Sequence, residues 1–457
     1  MGFTNIWAFL LTLGVLVVIH EYGHYRVAVA CGVKVLRFSV GFGRVLWRRQ
    51  SGPDATEFVI CALPLGGYVR MLDEREGEVA PAELHRAFNR KTLWQRAAIV
   101  VAGPLANLAL AVLLYAGAHW IGVEEPKAVL GPPTAGSLAE RAGLHSGDWV
   151  RALAQEGEEF QDVRSLTDLR WQVTQAALQQ KALQLQVTDR EGRAPRTLLL
   201  DLSGIASAEV DAQLAKKIGL PGAYSEALLG EVKAGGPAAA AGLQKDDRVL
   251  SVDGGALDDA QTLLERIRAG LQGSQPKTQH WVLQRGGRTL EVDVTPRAVR
   301  EGDSLIGRID AFVGQPPAMV TVRLGPLEGL QQGFARTWEV SALTVKMLGR
   351  MVIGQASLKN LSGPLTIADY AGQSVNQGLA YYLGFLALVS VSLGVLNLLP
   401  LPMLDGGHLM YYIFEGATGR PVSDLWLARL QRGGIVVLLM MMSVALFNDV
   451  ARLLGLH

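Results

Sequence analysis

His20-Glu21-Tyr22-Gly23-His24 closes an apolar run that begins at Ile6, and the reading of this stretch decides the fold. On a helix, side chains four residues apart share a face, so His20 and His24 can present ring nitrogens to one metal ion. Glu21 lies about 100° further round, near enough to polarise a water on that ion without being a ligand. Helical periodicity continues to Ala30, and the segment is long enough to cross a hydrocarbon core of roughly 30 Å at about 1.5 Å per residue. Counted from Ile6, His20 falls about 21 Å along the axis, still within the bilayer. Ionisable groups at such depth are costly and normally face a protein interior or a water-filled cavity.

Outside this stretch, composition supports a membrane setting. The 457 residues are 49% hydrophobic with a mean hydropathy of +0.22, too apolar for an ordinary soluble chain of two to four domains. A net charge of +1 and 7% aromatic residues give no footing for nucleic acid. Two cysteines, Cys31 and Cys61, make no disulfide framework and are expected as free thiols. Ala28-Val29-Ala30 imitates a signal-peptide cleavage site, but Met1 to Asn5 has no basic region and the motif would interrupt the apolar core.

Eleven Lys or Arg residues fall from Arg26 to Lys91 and none in the first five positions, which by the positive-inside rule makes residues 31–96 a cytoplasmic loop. Within it, Val33 to Phe42, Arg44 to Arg48 and Glu57 to Ile60 read as short strands. Leu63 to Val69 reads as a Gly-rich strand, either a free edge for an extended substrate or a sheet that packs under the helices. Ala97 to Val123 is an uncharged second span broken at Gly103-Pro104. Asn107, one turn on, reads as helix-packing glue in preference to a part of the site.

Residues 124–300 are polar and repeat themselves. Leu130-Gly131, Ala142-Gly143-Leu144, Asp148 and Val150 recur 99 residues on as Leu229-Gly230, Ala241-Gly242-Leu243, Asp247 and Val249. Two α+β units follow, residues 124–205 and 222–300. In residues 317–377, Leu327, Leu330, Phe334, Trp338 and Leu343 recur at helical spacing, which suits an amphipathic helix on the membrane surface, with a buried core helix as the rival. Gly378 to Leu404 forms a third span, within residues 378–412, and Gly433 to Asn448 a short fourth within residues 433–457.

A catalytic zinc site typically offers three protein ligands and leaves one position for water. Asp405 is the best third ligand: it follows the helix-breaking Pro400 and Pro402, precedes Gly406-Gly407, and shares the depth of the first span's inner end. His408 is the rival, or a partner behind the ligands. Taken alone, Asp405 would be an ordinary helix cap.

His20-Glu21-Tyr22-Gly23-His24, Gly103-Pro104-Leu105-Ala106-Asn107, and the run from Asn397 through Pro400, Pro402 and Asp405 to Gly406 resemble the site-2 protease family of intramembrane metalloproteases. The repeated A-G-L-x-x-x-D-x-V core resembles PDZ domains of bacterial membrane proteases. Two such domains, with Gly66-Gly67-Tyr68-Val69 and the N-L-S-G-P run from Asn360 to Pro364, resemble the regulator of sigma-E branch of the family in Gram-negative bacteria. Tyr22 occupies a variable position of the motif.

The resemblance covers nearly the whole chain. It implies a polytopic α-helical membrane protein of four spans, with a cytoplasmic-side membrane-associated β-sheet and two periplasmic α+β PDZ domains. The expected location is the bacterial inner membrane, with both termini periplasmic and the site near the cytoplasmic side. By the same resemblance, His20, His24 and Asp405 hold Zn2+ and Glu21 is the general base. Asn397 contacts an unwound substrate, and the strand at Gly66, Gly67 and Tyr68 pairs with it. Leu130-Gly131 and Leu229-Gly230 mark loops that would take a periplasmic peptide or C-terminus; the competing reading has the PDZ pair exclude bulky substrates without binding them.

Expected partners are the lipid bilayer and single-pass membrane protein substrates, such as an anti-sigma factor after first-site trimming or remnant signal peptides. Two other classes remain. A membrane-anchored PDZ scaffold or chaperone would survive Glu21→Gln. A metal transporter would need polar groups spread across several spans, which Gly378 to Leu396 lacks.

Overall fold

Four helices of the computed structural model are long and apolar enough to cross a membrane: Thr4–Ala30, Leu93–Ile121, Leu379–Asn397 and Leu425–Ala451. The structure describes all residues except 1–2, 53, 156, 206–213, 258, 302–303, 354–362, 421 and 454–457. Asn360 to Ser362 of the N-L-S-G-P run therefore lie outside the described residues. The chain divides into two units, Met1–Val123 with Arg323–His457, and Glu124–Val322.

The third and fourth spans depart from the expected bounds. The apolar stretch after Gly378 is not one helix: Leu379–Asn397 ends, the chain turns through residues 398–404, and a second helix runs Asp405–Thr418. Pro400 and Pro402 withhold two backbone donors, which is enough to stop the first helix. The fourth helix runs Asp424–Leu453, well beyond the Gly433 to Asn448 read from hydropathy. Arg429, Arg432 and Asp449 bound the apolar core of this helix without ending it.

Between helices in lipid, apolar contact brings little net gain over contact with lipid tails, so close approach and hydrogen bonds do the joining. Gly23 lies against the second span, where an added Cβ would sit 2.8 Å from Ala106 Cβ. Ser390 Oγ donates to the Asn107 carbonyl oxygen at 2.8 Å, tying the third span to the second. Thr12 Oγ1 and Tyr382 OH, 3.1 Å apart, tie the third to the first. Helix Pro326–Val352 seats Gly333 against Val112, and Val340 joins a cluster with Ala111, Tyr115, Ala387, Val391 and Val395. Leu327, Phe334, Trp338 and Leu343 of the same helix are exposed.

The loop after the first span folds as two long antiparallel strands, β1 (Val35–Ser51) and β2 (Thr56–Met71). Each bends midway, so the expected short strands are segments of these two. Phe38 pairs with both Phe58 and Val69, and Ser39 with both Val59 and Tyr68. The resulting order across the sheet is 67–71, 35–40, 56–60, 45–51, with residues 67–71 at one edge. Gly41 and Gly43 take left-handed φ values of +88° and +86° at the bend in β1, which favours glycine there.

The unit Glu124–Val322 holds two lobes on one plan. One has a four-stranded sheet behind helix Leu166–Leu178; the other has a four-stranded sheet behind helix Ala260–Arg268. The repeat has a physical basis in the acid it conserves. Asp148 and Asp247, both buried, each accept a hydrogen bond at 2.8 Å from the backbone N–H three residues before, of His145 and Gln244. Each is also paired with an arginine, Arg196 and Arg285.

Candidate metal centre

The second turn from the end of the first span brings His20 and His24 onto one face, both almost fully buried. Their Nε2 atoms lie 3.2 Å apart. Asp405 Oδ2 completes a triangle, 3.2 Å from His20 Nε2 and 3.5 Å from His24 Nε2. Ligand atoms about 2.0–2.1 Å from a tetrahedral zinc lie about 3.3–3.4 Å from one another. Two imidazoles and a carboxylate at this spacing therefore fit zinc and leave the fourth position for water. Among the described residues these three form the one group of His, Cys, Asp and Glu donors able to hold a metal. His408 lines the adjoining cavity without joining them.

Asp405 reaches the histidines because the chain doubles back on itself. Met403 takes a φ of +103°, and Gly406 presses so closely on the Leu398 and Leu399 carbonyls that no side chain fits there. A Cβ on Gly407 would come 2.9 Å from the Leu401 carbonyl carbon. Asp405 is the first residue of its helix, where the aligned peptide dipoles favour a negative charge.

The second span supplies partners to the far side of both rings. His24 Nδ1 lies 2.8 Å from the Ile99 carbonyl oxygen. His20 Nδ1 lies 3.2 Å from Asn107 Nδ2. Asn107 was expected to act chiefly in packing; it does so through its carbonyl, but its side chain belongs to the site. The signal for this was present in the sequence: a lone amide in an otherwise apolar span needs a buried partner. Gly103 leaves room for the His24 ring, since a Cβ there would sit 2.6 Å from Cε1.

A cavity of about 370 Å³ opens beside the donors, lined among others by Glu21, Gly67, Tyr68, His408 and Tyr412. Glu21 faces this space and stands outside the donor group, as a base acting on a water would. Gly67 packs the sheet edge directly onto the first span, and a Cβ there would meet Glu21 Cγ at 3.1 Å. Gly66, at a φ of +111°, lies under the Phe42 ring, which stacks on Tyr68 at 6.0 Å. Asn397, half-buried at the last turn of its helix, is not among the residues lining the cavity. Leu130, Gly131, Leu229 and Gly230 belong to the other unit; the Leu130 and Gly131 amides donate to the Asp148 and Gly222 carbonyl oxygens, and the Leu229 amide to that of Asp247.

Such a donor set on apolar helices, with a glutamate held free of it, is the equipment of a membrane metalloprotease. The chain belongs to peptidase family M50, the site-2 proteases, whose family model matches residues 8–441. It is 40% identical over 465 residues to a Ralstonia nicotianae protein provisionally named a zinc metalloprotease, covering 99% of both chains. It is 39% identical over 458 residues to the regulator of sigma-E protease RseP of Salmonella typhimurium, covering 98% of this chain and 99% of that one. Against the Escherichia coli protein of the same name the identity is 37% over 472 residues, with 98% and 99% covered. The protein is a zinc-dependent metalloprotease of the membrane.

Proposed function

We propose that this protein cuts peptide bonds within the transmembrane segments of single-pass membrane proteins. The observation that carries this reading is the cluster of His20 and His24, buried on the apolar helix Thr4–Ala30, with Asp405, the first residue of the helix that follows the third span. In this reading the three residues hold zinc. Bound there, zinc lowers the pKa of its water and polarises a substrate carbonyl. Glu21 accepts the proton of that water and returns it to the leaving amine.

A transmembrane substrate hides its amides in its own helix and must unwind to be cut. The edge at residues 67–71 offers it a strand to pair with, which compensates the backbone groups it exposes. Asn397 is the further residue that touches the unwound segment, at a stage when the substrate extends beyond the cavity. The two lobes of residues 124–322 are PDZ domains that act as a size filter. The engaged amides of Leu130, Gly131 and Leu229 support filtering over capture of a C-terminus, since a carboxylate would need them free.

The substrate class we infer is an anti-sigma factor whose outer domain has already been trimmed, with remnant signal peptides as further candidates. The relatives named regulators of sigma-E protease support this, and a role in an envelope stress response follows from it. The charge bias of residues 26–91 supports an inner-membrane protein with the site toward the cytoplasm and the PDZ pair and both termini in the periplasm.

The deciding experiment compares wild type with Glu21→Gln on a model membrane substrate while zinc content is measured. The reading requires cleavage to fall by about 10²–10⁴-fold with zinc retained. Undiminished cleavage by Glu21→Gln would sink it. Deleting residues 124–300 should let untrimmed substrates be cut; if they stay uncut, the filter idea fails.

A further inference from the structure

We propose that Asn107 is the positioning residue for the His20 ligand, accepting a hydrogen bond from His20 Nδ1–H through its side-chain oxygen. The inference rests on the zinc reading above and concerns a residue that takes no part in the donor cluster. Asn107 is fully buried, and its Nδ2 stands 3.2 Å from His20 Nδ1. Its Oδ1 is buried with no hydrogen-bond partner among the described residues. A buried carbonyl oxygen left unpaired is costly, so its placement asks for an explanation.

The tautomer of His20 supplies one. A neutral imidazole carries one proton, so if Nδ1 accepts from the Asn107 amide, the proton sits on Nε2. Nε2 is the atom that faces Asp405 and His24, and a protonated nitrogen has no lone pair for a metal. Ligation by Nε2 therefore requires the proton on Nδ1, and Nδ1–H requires an acceptor. The oxygen and nitrogen of an amide occupy nearly the same shape, and turning the group by 180° sets Oδ1 against Nδ1–H. That single turn satisfies the orphaned oxygen and frees His20 Nε2 for zinc.

His24 shows the same arrangement with a different acceptor. Its Nδ1 lies 2.8 Å from the Ile99 carbonyl oxygen, which can only accept, so the proton of His24 is already on Nδ1 and its Nε2 is free. One span thus fixes both rings, with a backbone oxygen for His24 and a side-chain oxygen for His20. Only the second can be removed by substitution.

The test uses the full chain in detergent and three variants: Asn107→Leu, Asn107→Asp and Ser390→Ala. Zinc affinity is read by chelator competition, the cobalt-substituted site by its visible absorption, and thermal unfolding is followed with the metal stripped. Asn107→Leu keeps the volume but removes the acceptor; it should bind zinc 10–100-fold more weakly and alter the cobalt spectrum. Its metal-free chain should still unfold cooperatively, at a midpoint somewhat below that of wild type because the buried His20 Nδ1 loses its partner. Asn107→Asp retains an acceptor and should hold zinc far better than Asn107→Leu. Ser390→Ala removes only the contact to the Asn107 backbone and should leave zinc affinity unchanged. Wild-type zinc affinity in Asn107→Leu overturns the proposal, as does a loss in Asn107→Asp equal to that in Asn107→Leu. If Asn107→Leu fails to fold, the Asp variant decides alone, by keeping zinc or losing it. Loss of zinc in Glu21→Gln would strike the general-base reading and leave this one standing.

Discussion

His24 Nδ1 and the Ile99 carbonyl oxygen, 2.8 Å apart and 75 residues distant in sequence, hold the first and second spans in the register the metal centre needs. Pro104, four residues beyond Val100, has no N–H to give that residue's carbonyl, so the helical ladder is interrupted next to Ile99. Gly103 faces the ring, with His24 Cε1 only 2.6 Å from where a Cβ would be. Gly103→Ala should therefore displace the ring. The expected result is at least a tenfold loss of zinc affinity with an overpacking cost of about 1–3 kcal/mol. Chelator titration with an unfolding scan checks it, and unchanged zinc affinity would show that the ring yields freely.

Asp405 and His408 make opposite predictions about which residue at the start of the Asp405–Thr418 helix is the ligand. Stripping zinc with a chelator should abolish cleavage, and adding it back should restore it. Added zinc at about 100 times its dissociation constant should stabilise wild type by about 2.7 kcal/mol, because it binds the folded chain alone. Asp405→Ala should lose that stabilisation and His408→Ala should keep most of it. The reverse pattern would exchange their roles.

Much of this centre was legible in the sequence, for a physical reason. His20, Glu21 and His24 are spaced by the helix itself, and Asp405 stands out in the sequence as an acid between the helix-breaking Pro400 and Pro402 and the pair Gly406-Gly407. Asn107 was harder to place, because a lone amide in an apolar helix reads first as packing until its neighbour, His20, is known. The break at residues 398–404 was half visible in Pro400 and Pro402, whereas the return of the chain depends on what Gly406 and Gly407 lie against. The double pairing of Phe38 and Ser39 left no local trace, since pairing across a sheet is not encoded in period-two alternation.

The two lobes allow one prediction to be made on a repeated feature. Asp247 is fully buried, bonded to the Gln244 N–H and held by Arg285 at 2.6 Å. Asp247→Ala leaves that arginine and amide without their partner and should cost about 3 kcal/mol. Hydrogen exchange in the full chain should quicken through residues 228–294 and leave residues 128–200 nearly unchanged. Uniform quickening across both lobes would mean that they unfold as one.

Acid should loosen the segment after β2 within a defined window. Hydrogen bonds from Arg90, at 2.6 and 3.0 Å, and from Asn89, at 2.6 Å, lower the Glu74 carboxyl from 4.5 to about 2. A carboxyl depressed in the folded state contributes fully above its unfolded value and is lost as pH falls through its folded one. The tether should therefore hold at pH 7 and weaken between about 4.5 and 2. A spin label at Gly77, where a side chain meets nothing within 4 Å among the described residues, should become more mobile across that window. Glu74→Gln should show the mobile spectrum already at pH 7.

Asp449 on the fourth span is the clearest structural anchor remote from the metal. Its buried carboxylate accepts from the N–H groups of Gly363, Leu365 and Thr366 at 3.0, 2.9 and 3.2 Å, and from Thr366 Oγ1 at 2.5 Å. It thereby satisfies the free donors at the start of helix Pro364–Gln377. That helix reaches the first span through Asp369, which accepts from Asn5 Nδ2 at 3.1 Å, so one carboxylate links the first and fourth spans by way of a single helix. Asp449→Ala should cost about 2–3 kcal/mol, because several buried donors lose their acceptor together. Asp449→Asn keeps the shape but turns an NH2 toward donors, and it should recover less than half of the loss. Zinc affinity should stay at the wild-type value in both, since neither residue 449 nor the capped helix touches the cavity. A loss below about 0.5 kcal/mol in Asp449→Ala would mean that water or lipid headgroups replace the cap, and that the helix holds its place through the Asn5 side alone.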